Sequence, residues 1–545
     1  MSETTLPTLL AQALHARGVT HAFGMPGGAS LPFLEAFRAV GIEFVLVRHE
    51  GSAGFMADAA FHITRAPGVC IATLGPGATN LVSGIAGSLL ERSKVVAINS
   101  QIGTALRDRY THQILDQVAL FKPVARRVVH LNEDMAAMQT LTALATLDRH
   151  PPGPVVLDVP TEVAHTAVSG LDATWGMRLR PRPVPDVSQA AVRLKNARRV
   201  LVAVGCGELT IASANGVRRL ITAADAVSLT TYRAAGMADE AHPLWAGCFG
   251  LSPVVDAHQK SLFAQADLII AVGMDIVELR PHWLSDWPPQ VPVISVDAFG
   301  QDDLLGDVVE RLHGPVMETL DALRTAAFGH PPDEDPDRVQ AETDWQADDL
   351  RTHRAAWRAP FEDGPDGPAA TIRAVQAASP EGTRFCLDVG AHRITAAHVL
   401  RVERPNQVLQ SNGLSSMGTG LPAAIASRLV DPKTPVVALT GDAGLWMTLG
   451  ELGVVQERGL DLVVVYLSDA SLSLIQLKQE RMNLPDHGVT FSNPQIVPLA
   501  QAFGGVGQTV QGAEAVSTAV AEAHQRGGLS IIEAVIDSTP YRRQM

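Results

Sequence analysis

VVALTGDAGLWMTLGELGVVQERGLDLVVVYLSDASLSLIQLKQ, residues 436–479, decides the fold of this 545-residue chain. It contains two short apolar runs, and each ends beside an acidic residue, Asp442 after the first and Asp469 after the second. Residues 445–457 between the runs have helical periodicity, so the stretch predicts a β-α-β-α unit with two parallel strands. Because parallel strands end at one edge of a sheet, we expect both carboxylates at the edge where open α/β sheets bind ligands.

The chemistry of this pair suits a magnesium ion that carries a polyphosphate. Mg²⁺ takes one or two protein carboxylates and completes its octahedron with phosphate oxygens and water. Gly441 and Gly444 allow the backbone to approach a phosphate, and free N–H groups at a helix start favour anions. The alternative is that Asp442 and Asp469 only cap helices, as Asp often does. Their placement within one β-α-β unit favours the metal site.

Composition limits the partners and the compartment. The 46% hydrophobic and 18% charged residues are typical of a globular enzyme. A net charge of −14 argues against nucleic-acid and anionic-membrane partners, and it means that a bound diphosphate needs a metal ion for local positive charge. Four scattered cysteines without CxxC spacing, no leader-like N-terminus and no membrane-length apolar run predict a soluble, cytoplasmic protein.

Alternating strand-like and helix-like segments divide the chain into three parts. Residues 1–165, 186–330 and 368–545 each show a repeated βα pattern, which predicts a parallel sheet wrapped by helices. Proline-rich segments at 166–185 and 331–367 predict the connections between them. The predicted fold class is therefore α/β, with three doubly wound parallel-sheet domains.

The two acidic turns resemble the diphosphate-binding motif of thiamine diphosphate enzymes, in which Gly-Asp-Gly is followed further along the chain by Asn-Asn. Here Ala443 replaces the last Gly, and Ser468-Asp469 replaces Asn-Asn. The resemblance implies that the metal ligands are the side chains of Asp442 and Asp469 and the main-chain oxygen of Ser471. It extends over the whole chain and implies a pyrimidine-binding domain, a middle domain and a diphosphate- and Mg²⁺-binding domain, in that order.

Glu50 is the main catalytic candidate of the first part. It follows an apolar strand and enters a helix, where an isolated Glu often serves only as an N-terminal acid. The surrounding string, RHEGSAGFMADA at 48–59, resembles the pyrimidine domain of the same family. The resemblance implies that Glu50 hydrogen-bonds N1′ of the aminopyrimidine ring, which favours the imino tautomer that takes the C2 proton of the thiazolium.

Three more residues of this part join the catalytic candidates. Gln113 matches an active-site Gln of the acetohydroxyacid synthase group, and His112 stands where that group often has Phe. The resemblance makes His112 a candidate for proton handling near C2, although an isolated His is usually structural. Gly28 lies in the glycine turn after the first predicted strand.

The last part supplies the expected cofactor cradle. Val-Gly-Ala-His at 389–392 resembles the family's Val-Gly-Gln-His, with Ala391 in place of Gln. Met417 resembles the apolar wedge beneath the cofactor, and main-chain groups of Ser415 and Met417 would read the pyrimidine. The alternative is that Met417 packs in the core. The cofactor-binding residues implied by the resemblance are Gly390, Ala391, His392, Ser415, Met417, Gly441, Asp442, Ala443, Gly444 and Ile475.

The middle part argues against FAD. Gly205-Cys-Gly207 follows a predicted strand but lacks the third glycine and the acidic residue of a dinucleotide site. Residues 274–280, MDIVELR, do not match the Arg-Phe-Asp-Asp-Arg run of the FAD-binding synthases.

The motifs resemble those of acetolactate synthases and related 2-oxoacid decarboxylases and carboligases. The resemblance implies thiamine diphosphate and Mg²⁺ as cofactors and a 2-oxoacid and a carbonyl compound as substrates. It also implies a homodimer or homotetramer with active sites between subunits. The alternatives are a decarboxylase or 2-hydroxyketone lyase that releases an aldehyde, and a protein that binds the cofactor without catalysis. Glu50, Asp442 and Asp469 together argue against the last of these.

Two positions bear on the outcome of the reaction. Ile475 stands where pyruvate decarboxylases carry a catalytic Glu, so no acid is available there to protonate the reaction intermediate, which favours carboligation. Lys478 stands where biosynthetic acetohydroxyacid synthases carry a Trp that selects the acceptor. The donor and the acceptor therefore stay open.

Overall fold

The computed structural model describes residues 4–107, 109–168, 171–177, 182–287, 290–298, 306, 308–329 and 342–545. These residues form three α/β domains, each built on a six-stranded sheet flanked by helices. The predicted fold class is thus confirmed. Among the helices of this part of the chain, none is long and apolar enough to cross a membrane.

The first domain carries the segments around Glu50. Its elements are β1 (Thr4–Thr5), α1 (Leu6–Ala16), β2 (His21–Met25), α2 (Leu31–Val40), β3 (Glu43–Leu46), α3 (Glu50–Thr64), β4 (Gly68–Ala72), α4 (Pro76–Leu90), β5 (Val95–Gln101), α5 (Gln117–Phe121), β6 (Arg127–His130), α6 (Ala136–Thr146), β7 (Val155–Pro160) and β8 (Ala167–Val168). The main sheet has the order β3-β2-β4-β5-β7-β6, and all its neighbouring strands are parallel. The short β1 and β8 pair antiparallel.

The middle domain has the strand order of dinucleotide-binding folds. Its elements are α7 (Ser188–Asn196), β9 (Val200–Val204), α8 (Ile211–Ala224), β10 (Val227–Thr231), β11 (Trp245–Phe249), α9 (Pro253–Gln265), β12 (Leu268–Val272), α10 (Pro281–Asp286), β13 (Val293–Asp297), β14 (Val308–His313) and α11 (Val316–Phe328). The parallel sheet runs β11-β10-β9-β12-β13-β14, which is the doubly wound order of that class. A helix, α12 (Ala347–Arg358), follows in the connection to the third domain.

The third domain repeats the topology of the first. Its elements are α13 (Pro368–Ala378), β15 (Arg384–Leu387), α14 (Ala391–Val399), β16 (Val408–Gln410), α15 (Gly420–Val430), β17 (Val436–Gly441), α16 (Asp442–Met447), α17 (Leu452–Arg458), β18 (Leu462–Ser468), α18 (Ser473–Arg481), α19 (Ile496–Ala502), β19 (Val506–Gln511), α20 (Ala513–Arg526), β20 (Leu529–Val535) and α21 (Tyr541–Gln544). The parallel sheet runs β16-β15-β17-β18-β20-β19. Counted from the first strand of its main sheet, each of these two domains has the order 2-1-3-4-6-5.

The decisive stretch folds as two parallel strands, but its helix differs from the prediction. Strands β17 and β18 pair in parallel register, as the buried apolar runs predict. The single helix expected at 445–457 is wrong. Helix α16 starts at Asp442 itself, the chain turns through a short 3₁₀ segment at Leu449–Glu451, and α17 then runs to Arg458 and ends at left-handed Gly459.

The predicted connections lie only partly within the described residues. Within the proline-rich segments, residues 169–170, 178–181 and 331–341 lie outside them, as does residue 330 at the predicted end of the middle domain. The limits of the three domains therefore stay predictions.

The first and third domains of one chain pack against each other. Helix α3, which starts at Glu50, lies against α4 of its own domain and against α15 of the third domain. Buried residues from both domains, among them Met56, Leu81, Leu421 and Ile425, belong to one hydrophobic core. This packing fixes the start of α3 relative to the third domain.

Candidate active site

The acidic pair lies at one edge of the third sheet. The register of β17 and β18 pairs Gly441 with Leu467 at the carboxyl ends of the strands. Asp442 is the next residue after β17 and the first of α16, and Asp469 is the next residue after β18. The sequence-predicted pair therefore meets at the edge where open α/β sheets bind ligands.

Asp442 is buried and held by N–H donors. Its Oδ1 accepts from the Ala443 N–H at 2.8 Å, and its Oδ2 accepts from the Ala470 N–H at 2.8 Å and from the Asn493 side-chain amide at 3.1 Å. Only 2% of Asp442 is exposed. The orientation of this carboxylate is thus fixed from three sides.

Asp469 lines the same cavity as Asp442 but has different hydrogen-bond partners. The Ser473 hydroxyl donates to its Oδ2. Burial, together with the nearby negative charge of Asp442, raises the pKa of Asp469 to about 6. Two carboxylates brought together in this way are a favourable site for a divalent cation, which would offset their mutual repulsion.

A cavity of about 260 Å³ joins these carboxylates to the rest of the predicted cradle. Every residue predicted to bind cofactor or metal lines it. Those residues are Gly390, Ala391, His392, Ser415, Met417, Gly441, Asp442, Ala443, Gly444, Asp469, Ser471 and Ile475. Across the described residues, no cluster of three or more His, Cys, Asp or Glu side chains could hold a metal. A cation here would thus use two carboxylates plus main-chain or ligand oxygens.

His392 is the residue of the cavity best suited to a phosphate. It is buried, and burial lowers its pKa to about 3, so the ring is neutral at ordinary pH. Its Nε2 is buried and has no hydrogen-bond partner among the described residues. A neutral imidazole has one N–H, and in the tautomer that carries it on Nε2 this nitrogen can donate to an anionic oxygen in the cavity.

The glycines of the cavity are required by close contacts. A Cβ on Gly390 would lie 2.7 Å from the His392 ring, and one on Gly444 would lie 1.5 Å from Asp388 Oδ2. Gly444 therefore has a structural reason that the sequence does not reveal, since the buried Asp388 carboxylate occupies the space of its side chain. The other oxygen of this carboxylate, Asp388 Oδ1, accepts from the Thr419 N–H at 2.9 Å, just before the start of α15.

Met417 lines the cavity and belongs to no buried core cluster among the described residues. Its neighbour Gly418 has a φ of 81°, and Ser415 has a φ of 52°, so the loop before α15 is tightly turned. The Ser415 hydroxyl donates to the Asn412 carbonyl at 2.6 Å, which holds the turn. The location of Met417 fits a cofactor wall rather than core packing.

The catalytic candidates of the first domain do not line this cavity in the folded chain. Glu50 is only 5% exposed, and its Oε2 accepts from the Asn80 side-chain amide at 2.9 Å. Its Oε1 lies 3.1 Å from where a Cβ on Gly77 would be. None of Glu50, Gly28, His112 and Gln113 lines the 260 Å³ cavity.

Two of these candidates, Glu50 and Gln113, nevertheless lie at one turn, residues 73–77. Besides Glu50 at Gly77, the Gln113 carbonyl lies 2.6 Å from the Cβ position of Gly75, whereas Thr73 lies against Gly27 and no atom lies within 4 Å of the Cβ position of Gly28. Gln113 has a φ of 62°, a conformation that non-glycine residues seldom adopt. His112 is exposed, and its ring centroid lies 6.1 Å from that of Tyr110.

Sequence reasoning missed two residues that position this machinery. Glu451 of the third domain is buried, and its carboxylate accepts the N–H groups of Arg48 and His49, each at 3.1 Å, just before Glu50. Asn493 holds Asp442, as described above. Neither has a local sequence signal, because their partners are distant in the chain.

Fold and site together define the class of protein. A parallel-sheet edge with two carboxylates, an unpartnered imidazole nitrogen and glycine walls is suited to a metal-bound diphosphate. The residues present therefore fit a diphosphate cofactor held by the third domain of a three-domain α/β enzyme.

Comparison with known proteins identifies the family. Three models of the thiamine pyrophosphate enzymes match: the N-terminal thiamine pyrophosphate binding domain at 4–120, the central domain at 187–302 and the C-terminal thiamine pyrophosphate binding domain at 388–534. The chain belongs to this family, the thiamine diphosphate-dependent enzymes that form or cleave carbon–carbon bonds.

Its curated relatives include acetolactate synthases. The acetolactate synthase isozyme 2 large subunit of Escherichia coli (strain K12) is 29% identical over 537 residues, 96% of this chain and 94% of the relative. The isozyme 3 large subunit of the same strain is 27% identical, over 98% and 95% of the two chains. Acetolactate synthase of Bacillus subtilis (strain 168) is 26% identical, over 97% and 92%.

Proposed function

We propose that this enzyme uses thiamine diphosphate and Mg²⁺ to decarboxylate a pyruvate-type 2-oxoacid and to ligate the remaining fragment to a carbonyl acceptor. The observation that carries the proposal is the cavity that Asp442, Asp469, His392 and the apolar start of α18 line together. The similarity to acetolactate synthases over nearly the full chain supports the same class of reaction.

Each part of the site has a role in this proposal. Thiamine diphosphate, when bound, supplies carbanion stabilisation. Asp442 and Asp469, with the main chain of Ser471, would hold Mg²⁺, and His392 would donate to a phosphate oxygen. Glu50 would share a proton with the aminopyrimidine ring, for which a buried carboxyl is suited.

The side chains at the start of α18 favour ligation over release of an aldehyde. Leu472, Leu474 and Ile475 face the cavity, and the hydroxyl of Ser473 is already donated to Asp469. This wall offers no acid to protonate the reacting carbon, so the fragment can persist until an acceptor arrives. A lyase or simple decarboxylase stays the alternative.

Lys478 is the residue most relevant to the substrate. It is exposed one helical turn beyond Ile475, and its side chain makes no hydrogen bond or ion pair within the described residues. A cation at this place would favour a substrate with a second anionic group, and its difference from Trp argues against the standard branched-chain biosynthetic role.

We also propose that catalysis does not need FAD. The Gly205–Gly207 turn, where a dinucleotide phosphate would approach, packs against Gly273, and a Cβ on Gly207 would lie 2.9 Å from the Gly273 carbonyl oxygen. The Cys206 N–H in this turn donates to buried Glu278 at 2.9 Å. A carboxylate on this N–H disfavours a phosphate there.

The assembly that we propose is a homodimer or homotetramer. Glu50 and the diphosphate cavity are both needed for catalysis, yet Glu50 does not line the cavity of its own chain. A site shared between the first domain of one subunit and the third domain of another would bring them together.

Product analysis tests the proposal. We expect purified protein, supplied with thiamine diphosphate and Mg²⁺, to convert pyruvate into a 2-hydroxy-3-oxo acid, and to form mixed products when an aldehyde is added. Release of acetaldehyde as the main product would favour the decarboxylase. A flavin bound in stoichiometric amount would contradict the expectation about FAD.

A further inference from the structure

We propose that Asn493 is a positioning residue for the metal ligand Asp442. The inference rests on the proposed function, because it assumes that Asp442 and Asp469 hold Mg²⁺. Asn493 belongs to the loop between α18 and α19, more than twenty residues beyond the second metal ligand. Its amide nitrogen nevertheless lies 3.1 Å from Asp442 Oδ2.

The orientation of the Asn493 amide is fixed by chemistry. The indole N–H of Trp446 lies 2.9 Å from Asn493 Oδ1, and an indole nitrogen can only donate. The oxygen of the amide must therefore face Trp446, and the NH₂ group must face the other way. Its two hydrogens then reach Asp442 Oδ2 and, at 2.9 Å, the hydroxyl oxygen of Ser468.

The far side of this network is anchored in the sheet. The Ser468 hydroxyl accepts from Asn493 and donates to Glu533 Oε1 at 2.9 Å, and Glu533 Oε2 accepts from Thr509 at 2.8 Å. Ser468 ends β18 and Glu533 lies in β20, two paired strands. Ser468 has no side-chain amide. The side-chain N–H that donates to Asp442 is therefore that of Asn493.

The loop that carries Asn493 is tied to the metal-site segment as well. Ser471 and Thr490 form an antiparallel bridge, the Leu472 N–H donates to the Val489 carbonyl at 2.8 Å, and Phe491 donates to Ala470 at 3.0 Å. Asn493 thus approaches Asp442 from a segment whose distance to the site is fixed by main-chain bonds.

The contact orients Asp442 through a donor that carries no charge. All its described donors are neutral N–H groups, those of Ala443, Ala470 and Asn493. Together these donors restrict the rotation of the carboxylate, and none of them carries a positive charge that would compete with a cation. Outer-shell hydrogen bonds of this kind affect metal affinity by about 10- to 100-fold.

The test compares two ions. Mg²⁺ demands near-ideal octahedral geometry, whereas Ca²⁺ accepts variable geometry and ligand number. We expect Asn493→Ala to weaken Mg²⁺ binding by about 10- to 100-fold and Ca²⁺ binding by less than about threefold. The measurement is calorimetric titration of the metal-free protein with MgCl₂ and with CaCl₂ at a fixed, saturating concentration of thiamine diphosphate.

Two further variants make the test specific. Trp446→Phe keeps an aromatic ring next to Tyr466 but removes the indole N–H that orients the amide, so we expect the same preference for Ca²⁺ to a smaller degree. Gln495→Ala changes an exposed side chain of the same loop, with no hydrogen bond of its own in the described residues, and should bind both ions as the wild type does.

The possible outcomes separate the two proposals. If Asn493→Ala weakens the binding of Mg²⁺ and of Ca²⁺ equally, the loop has loosened in general and the positioning role is overturned. A Mg²⁺ affinity within about twofold of the wild type would overturn it as well. If Asn493→Ala does not fold, wild-type Mg²⁺ affinity in Trp446→Phe overturns the inference. A wild-type protein that binds neither ion with thiamine diphosphate would contradict the proposed function instead.

Discussion

Asp442 is the residue on which the proposed metal site depends most. Replacing it with Ala removes one of two carboxylates and leaves an acidic chain without the charge that a diphosphate needs. We expect Asp442→Ala to abolish Mg²⁺-dependent binding of thiamine diphosphate in calorimetry. Glu480→Ala, which removes the same charge from the outer side of α18, should bind normally. Unchanged cofactor affinity in Asp442→Ala would show that the metal lies elsewhere.

Glu50 is the second residue whose chemistry can be isolated. Gln has the same size and can still accept from Asn80, but it cannot exchange a proton. The loss of an acid–base group lowers the rate by about 10²–10⁴. We therefore expect the Glu50→Gln variant to bind the cofactor, while hydrogen–deuterium exchange at C2 slows by at least about a hundredfold. NMR of the cofactor after acid quench measures this rate. Exchange at the wild-type rate would reduce Glu50 to a helix-start acid.

Ile475 allows the outcome of the reaction to be changed. It is 45% exposed on α18 and lines the cavity, so a longer polar side chain can be accommodated there. Ile475→Glu should increase the share of aldehyde among the products, because a carboxyl group would supply a proton. Ile475→Gln has the same shape without an acid and should keep ligation. Identical product ratios in the two variants would mean that position 475 does not control protonation.

At the scale of elements, the break between α16 and α17 connects two parts of the machinery. Helix α16 starts with Asp442, and the 3₁₀ turn after it brings Glu451 to the N–H groups of Arg48 and His49. One continuous segment thus carries the proposed metal ligand Asp442 at one end and, at the other, the carboxylate that accepts from the chain just before Glu50.

This arrangement predicts an effect at a distance. Glu451→Ala leaves the partly buried N–H groups of Arg48 and His49 without their carboxylate acceptor, at a cost of at most about 1–3 kcal/mol for each. We expect a lower free energy of unfolding by denaturant and slower C2 exchange, with Mg²⁺ affinity retained. Glu457→Ala is the matched control, since its ion pair with Arg48 is at the surface and contributes less than about 1 kcal/mol. Normal C2 exchange in Glu451→Ala would restrict its role to stability.

The elements also show what the sequence can and cannot predict. Strands β17 and β18 follow from their apolar runs, and the acidic turns after them follow from the geometry of parallel strands. The break at Leu449–Glu451 is not visible in the helical periodicity, because its reason is a contact with Arg48, 403 positions away. Asn493 was missed for the same reason, since an amide in an irregular loop shows its role only when its partners are placed.

At the scale of the whole molecule, two domains of the same topology carry the two groups of residues that we propose to form one site. The first and third sheets share the strand order 2-1-3-4-6-5, and they pack through α3 and α15. Yet the carboxylate of Glu50 and the diphosphate cavity stay separate in a single chain. A repeated fold that is packed in this way leaves each half available to a second subunit.

Complementation between two inactive variants tests whether the site is shared. If Glu50 of one subunit serves the cavity of another, Glu50→Gln and Asp442→Ala have their defects on different chains. Co-expression at equal levels then gives mixed dimers with one intact and one doubly defective site. Random pairing predicts that roughly a quarter of the sites are intact in the unfractionated mixture, and activity should recover to about half of the wild-type value when mixed dimers are purified with two tags. A site formed within one chain cannot be restored by mixing, so activity no higher than that of either variant alone would contradict the shared site.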